Sequence, residues 1–190
     1  MRCFVAIEPD PAVRRTIARF IRERLPNTRD ARWCGDDQIH ITLKFLGDVD
    51  DARLAQVCDI VSQTAAELTP FELRVDGLGC FASRGSPRVM WLGVDDPGGH
   101  CAEWVAAADR RLAELEFAPQ RRAFTPHITL GRTRNRAGGA LLAKIVERLD
   151  GPPPMTFRVQ SLTLFESTLT PDGARYARVL SAPLAPLAPR

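Results

Sequence analysis

One tetrapeptide occurs twice in this chain and limits what the chain can fold into. His-Ile-Thr-Leu runs from His40 to Leu43 and again from His127 to Leu130. The 190 residues include only 3 histidines, and 2 of them head these copies. Each copy lies in a strand-like run, Gln38 to Gly47 and Phe124 to Arg132. Side chains alternate faces along a strand, so His40 and Thr42 look one way while Ile41 and Leu43 look the other. His127 and Thr129 stand in the same relation to Ile128 and Leu130. Each copy is thus an apolar anchor with an imidazole and a hydroxyl on its opposite face. Placed at comparable points of two successive halves, the copies predict two similar lobes presenting one motif each to a shared cleft.

The rest of the chain supports that reading. Arg2 to Glu8 is a short apolar run, read as a buried strand. Asp10-Pro11 caps a helix that buries Val13, Ile17, Phe20, Ile21 and Leu25. Ala31 to Cys34 makes a brief strand, and the first motif strand ends at Gly47. Asp50 or Asp51 caps a second helix with Leu54, Val57, Val61 and Leu68 inward. Phe71 to Phe81 and Val89 to Val94 form a hairpin with a long connection. A third helix buries Trp104, Ala108, Leu112 and Leu115. Gly138-Gly139 precedes a fourth, with Leu142, Ile145 and Leu149 inward. Phe157 to Leu169 reads as one long strand with an irregularity, and Pro171-Asp172-Gly173 turns the chain into its partner, Ala174 to Leu180. The predicted class is α+β: two pseudo-symmetric lobes, each a mainly antiparallel sheet with helices outside, and an active-site cleft between them. No linker separates the halves. Residues 1–180 are therefore expected to form a single bilobal domain, with an Ala/Pro-rich tail, extended or disordered, over 181–190.

Strand parity extends the list of candidates. Lys44 shares the His40 face, whereas Phe45 falls on the core face. Arg132 falls on the Leu130 face, and only a twist at Gly131 would turn it toward a ligand. Trp33, Trp91 and Trp104 are read as core, and His100 as a surface residue without a partner. Net charge is only +3, yet Arg121, Arg122, Arg132, Arg134 and Arg136 flank the second motif with no acidic residue among them. A basic rim beside histidines suits a phosphate-bearing ligand. The 5 cysteines are scattered without metal-like spacing, which points to reduced thiols and a cytoplasmic protein. The first apolar run is too short for a leader and no stretch is long enough for a membrane span.

Imidazole titrates near neutrality, so one histidine can accept a proton while the other, charged, donates one. Two of them on opposite sides of a phosphodiester suit an in-line displacement. Threonine hydroxyls and a nearby arginine would hold the non-bridging oxygens. Two histidines without a paired carboxylate motif make a poor zinc site, so neither metal nor cofactor is expected.

The paired His-x-Thr-x motifs resemble those of the RNA 2',3'-cyclic phosphodiesterases, also called 2'-5' RNA ligases, within the two-histidine phosphoesterases. The similarity extends to Met1–Ile7, Trp33, Leu43-Lys44-Phe45-Leu46-Gly47, Val89-Met90-Trp91-Leu92-Gly93, Pro126, Arg132 and Leu164-Phe165-Glu166-Ser167. It covers nearly all of the chain except the tail. Cys34-Gly35-Asp36-Asp37, where the family often has prolines, and the loop Arg84 to Arg88 depart from the pattern. The resemblance implies metal-independent opening of an RNA 2',3'-cyclic phosphate to a 2'-phosphomonoester, with possible 2'-5' ligation in reverse. It implies His40 as proton donor and His127 as acceptor, with Thr42 and Thr129 binding phosphate and Arg132 and Lys44 as further substrate contacts. The expected partner is RNA with a cyclic phosphate end, tRNA fragments included, and the expected state a monomer. Competing readings are a phosphodiesterase of the same superfamily acting on another cyclic nucleotide or a 2'-5' oligonucleotide, a non-catalytic RNA-binding module, and a metal-dependent hydrolase.

Overall fold

The computed structural model describes residues 1–83, 85–120, 123–171 and 173–186. Its strands are β1 (Arg2–Ile7), β2 (Ala31–Trp33), β3 (Ile41–Asp48), β4 (Phe71–Ser83), β5 (Ser86–Asp95), β6 (His127–Thr133), β7 (Met155–Val159), β8 (Ser161–Thr170) and β9 (Gly173–Pro183). The helices are α1 (Pro11–Arg24), α2 (Asp51–Ala65), α3 (His100–Ala113) and α4 (Arg136–Arg148). The strands join in the order β7-β4-β5-β6-β3-β1-β8-β9, antiparallel throughout, with β2 paired to β6. Read outward from its centre, the sheet is two four-stranded halves, β3-β1-β8-β9 and β6-β5-β4-β7. The two lobes are these halves, and they meet between the two motif strands.

The local chemistry explains the frame. β1 is buried on both faces from Cys3 to Ile7, so its sequence is a continuous apolar run rather than an alternation. Asp10 caps α1 by accepting from the Val13 amide at 2.9 Å, with Pro11 at the first helical position. Asp50 caps α2 in the same way through the Arg53 amide, also at 2.9 Å. Inward residues of all four helices join Val5, Ile7, Ile41, Leu43, Ile128 and Leu130 in one core. The apolar face of the motif strands therefore lies against the helical layer, and the histidine face is left open.

Several sequence expectations change. The stretch read as one strand from Phe157 to Leu169 is two strands in opposite halves of the order. β7 pairs with β4 and β8 with β1, and the irregularity is a break at Gln160 that carries the chain from one half to the other. Gly138 and Gly139 lie inside α4, capped by Asn135, instead of preceding it. A Cβ on Gly138 would stand 2.3 Å from the Asp30 carbonyl oxygen, so glycine here permits close helix packing. The β4–β5 hairpin is tighter than expected, with Ser83 paired to Ser86. His100 is half-buried and stacks on Phe71 with ring centroids 4.5 Å apart. The segment read as a tail starts as strand: β9 runs to Pro183, Ala182 and Leu184 are buried, and the Ala185 amide donates to the Leu68 carbonyl at 2.8 Å. Residues 187–190 lie outside the described residues, as do Arg84, Arg121, Arg122 and Asp172.

Candidate active site

The two motif strands touch at a single ladder pair, Ile41 with Ile128. Both isoleucines are fully buried. Counting outward along an antiparallel pair sets His40 level with Thr129 and Thr42 level with His127. Each motif thus places its imidazole beside the hydroxyl of the other. Beyond this pair the strands part, and β2 takes over the same edge of β6, where Trp33 pairs with Gly131. The cleft that opens between them has a volume of about 820 Å³ and is lined by Thr42, Thr129, His127, Arg132, Phe45 and Phe81 among others.

Both histidines are oriented by the same local device. The Nδ1–H of His40 donates to the Gln38 carbonyl oxygen at 2.8 Å, and that of His127 donates to the Thr125 carbonyl oxygen at 2.8 Å. In each case the acceptor lies two residues back. Because a carbonyl can only accept, Nδ1 carries the proton in each ring and Nε2 is left as the free base. His40 Nε2 accepts from the Thr42 hydroxyl at 2.9 Å. Around His40 lie Phe4, with centroids 5.0 Å away, and Tyr176, edge-on at 5.3 Å. Phe4, Ala6 and Phe165, packed with Tyr176, form a small second apolar cluster beneath it. Phe81 meets His127 edge-on at 4.8 Å.

This setting favours the neutral form of both rings. Burial pushes His40 down to about 4; its bond to the Gln38 carbonyl opposes the shift and the Arg132 charge adds to it. His127 is lowered as well, again chiefly by burial, with its Thr125 bond opposing and Arg132 adding. An anionic ligand between the rings reverses that balance by favouring imidazolium.

Lys44, Phe45 and Arg132 do not follow strand parity, and a one-residue bulge in each motif strand explains them. In β3 the pairing with β1 slips between Lys44 and Thr42, leaving Leu43 as an extra residue. Leu43 and Lys44 are both buried, and Phe45 turns outward with 64 % of its surface exposed. In β6 the pairing with β5 slips at the matching place, between Gly131 and Thr129, leaving Leu130 extra. Leu130 and Gly131 are both buried, and Arg132 is exposed in the cleft. The bulge, rather than a twist at Gly131, brings Arg132 to the histidine face. Phe45, expected in the core, lines the cleft and leans on Phe4 at 5.8 Å. Lys44 is among the residues that line the cleft, but it is only 3 % exposed, and its ammonium pairs with Asp109 and donates to the Ala118 carbonyl at 3.0 Å. Asp109 in turn accepts from the Gln120 amide at 2.9 Å. Lys44 braces the segment after α3, whose Ala118, Pro119 and Gln120 form one wall of the cleft.

The sequence reading missed Phe81 and misplaced Trp91. Trp91 is half-buried, pairs with Thr129 and packs on Phe81 at 5.2 Å, while Trp104 is core. Gly79 is the signal for it, since a Cβ there would stand 2.3 Å from the Trp91 ring. Among the described residues no group of three or more His, Cys, Asp or Glu is placed to hold a metal ion. All five cysteines are free, two of them buried. No described helix is long and apolar enough to cross a membrane.

Residues 9–170 match the sequence profile of the 2'-5' RNA ligase superfamily. A protein of Methanothermobacter thermautotrophicus named RNA 2',3'-cyclic phosphodiesterase is 30% identical over 176 residues, which cover 93% of this chain and 95% of that protein. A protein of Thermotoga maritima with the same name is also 30% identical over 176 residues, covering 93% of this chain and 91% of its own length. The structure of E. coli LigT complexed with 3'-AMP is similar with a TM-score of 0.74 and 25% identity, over 96% of this chain and 97% of LigT. With most of its length matched to the profile, the chain belongs to the 2'-5' RNA ligase superfamily.

Proposed function

We propose that the protein opens RNA 2',3'-cyclic phosphate ends to 2'-phosphomonoesters by two-histidine general acid–base catalysis that needs no metal. The observation that carries this reading is the Ile41–Ile128 contact, which sets His40 level with Thr129 and Thr42 level with His127, with His127 and both threonines lining the cleft and His40 bonded to Thr42 beside it. The names of the related proteins from M. thermautotrophicus and T. maritima support the substrate class.

The reaction follows from the Nε2 atoms. Neutral His127 takes a proton from water as its oxygen attacks phosphorus. The bond from phosphorus to O3' breaks, and protonated His40 gives its Nε2 proton to that oxygen. The products are a 3'-hydroxyl and a 2'-phosphate, with His40 neutral and His127 charged; exchange with solvent resets both. The assignment of His40 as donor and His127 as acceptor is the one the family resemblance implies. Thr42, Thr129 and Arg132 bind the non-bridging oxygens, where negative charge grows in the transition state. The negative charge of the substrate favours the protonated form of His40, opposing the effect of burial. With a 5'-hydroxyl of RNA in place of water, the same displacement, with the P–O3' bond broken and O3' protonated, forms a 2'-5' bond. Water's excess favours hydrolysis.

The direct test is phosphorus NMR of a nucleoside 2',3'-cyclic phosphate incubated with the protein and EDTA. The expected outcome is a 2'-phosphate signal alone, lost in His40→Ala and His127→Ala. Turnover abolished by EDTA would overturn the metal-free mechanism. No turnover of mononucleotide or oligonucleotide would leave an RNA-binding module instead.

A further inference from the structure

A second concavity, about 240 Å³, lies on the far side of Arg132 from the histidines. Its lining is Arg29, Asp30, Ala31, Arg32, Arg132, Arg134 and Asn135. Arg132 therefore forms a wall of both this groove and the catalytic cleft. Across the β2–β6 ladder Arg32 stands directly opposite Arg132. Directly paired residues share a face, so Arg32 lies on the side of the sheet that carries His127 and Thr129 after the bulge.

This arrangement is costly for an empty surface. Like charges directly opposed on neighbouring strands destabilise the pair. Among the described residues none of Arg29, Arg32, Arg132 and Arg134 has a carboxylate within the 4.0 Å of an ion pair. The one acid in the groove, Asp30, accepts from the Asn135 side-chain amide at 3.0 Å. Arg32 uses one N–H on the Pro171 carbonyl at 3.4 Å, and a guanidinium has four more. The lining holds no aromatic side chain on which a nucleobase could stack. Four guanidinium groups around a small space without aromatics suit a phosphodiester, which they can grip in paired hydrogen bonds.

We propose that this groove binds a backbone phosphate of the RNA strand whose cyclic phosphate end lies between the histidines. The inference rests on the reading of that cleft as a cyclic phosphodiesterase site. A strand carries one phosphate per nucleotide, so a strand held by its last phosphate brings earlier ones past Arg132. The groove makes the protein prefer oligonucleotides over mononucleotides without contacting the reacting atoms.

The test compares wild type with a triple variant, Arg29→Gln, Arg32→Gln and Arg134→Gln. Two substrates are used, a nucleoside 2',3'-cyclic phosphate and a short oligoribonucleotide with the same end. The expected result is unchanged kcat and KM on the mononucleotide, which also shows that the variant folds. On the oligonucleotide KM rises about tenfold or more, since hydrogen bonds to charged groups are lost. Its dependence on log salt flattens by about 0.7 for each phosphate contact removed. The triple lysine variant keeps most of that salt dependence. Equal oligonucleotide KM and salt slope in wild type and the glutamine variant would overturn the proposal. If wild type opens neither substrate, the catalytic reading has failed, and the groove is then judged by fluorescence anisotropy of a labelled 3'-phosphorylated oligonucleotide. Binding weakened in the variant sustains the groove, and binding unchanged removes it.

Discussion

At the scale of single residues, the site turns on two imidazoles held neutral by burial and oriented by carbonyls two residues back. His40 has the larger consequence. Its folded pKa, about 4, lies below the ordinary histidine value. Between those values the unfolded chain binds more protons than the folded one, so stability rises with pH there. The contribution is fully present above about pH 6.5 and is lost as pH falls toward 4. We predict that His40→Gln removes about 2 to 3 kcal/mol of the stability difference between pH 7 and pH 4, read from urea midpoints. Equal pH slopes in the two proteins would show that the buried ring titrates normally. The histidines and threonines were legible in the sequence because a repeated motif in a histidine-poor chain is visible without coordinates. Arg29 and Arg32 were not, because only the β2–β6 register brings them to Arg132.

At the scale of elements, the informative parts are those where pattern and structure disagree. Alternation places the Lys44 side chain in the open and Phe45 in the core, and a one-residue bulge at Leu43 reverses their exposure. A bulge changes pairing partners without changing composition, so no count along the sequence reveals it. The break at Gln160 is hidden for the same reason, since alternation continues across it while the partners change from β4 to β1. Burying Lys44 carries its own prediction. Asp109→Ala leaves an ammonium enclosed without its counter-charge and should cost about 3 kcal/mol or more in chemical unfolding. Replacing both partners, as Lys44→Met with Asp109→Leu, should cost less than the single change. An additive double variant would mean that the pair does not hold the cleft wall.

At the scale of the whole molecule, two half-sheets share a core, and the end of the chain closes it. The Ala/Pro composition after Leu180 suggested a loose tail, yet two apolar side chains there are buried and one amide bonds to Leu68. Leu184→Ala should therefore cost about 2 kcal/mol or more, measured by thermal or urea unfolding. A change below a few tenths would return the segment to the surface. The matching bulges have a wider effect. They fall at the same motif position in both halves, and the residue each turns outward differs: an aromatic ring in Phe45, a guanidinium in Arg132. A ligand rotated about the pseudo-twofold axis would meet the same histidines and threonines but opposite flanks. The quartet of motif side chains is nearly indifferent to that rotation, and the flanks are not. In the reaction proposed above, regiochemistry, the choice of which ring oxygen departs, would then rest with two side chains that take no part in moving a proton.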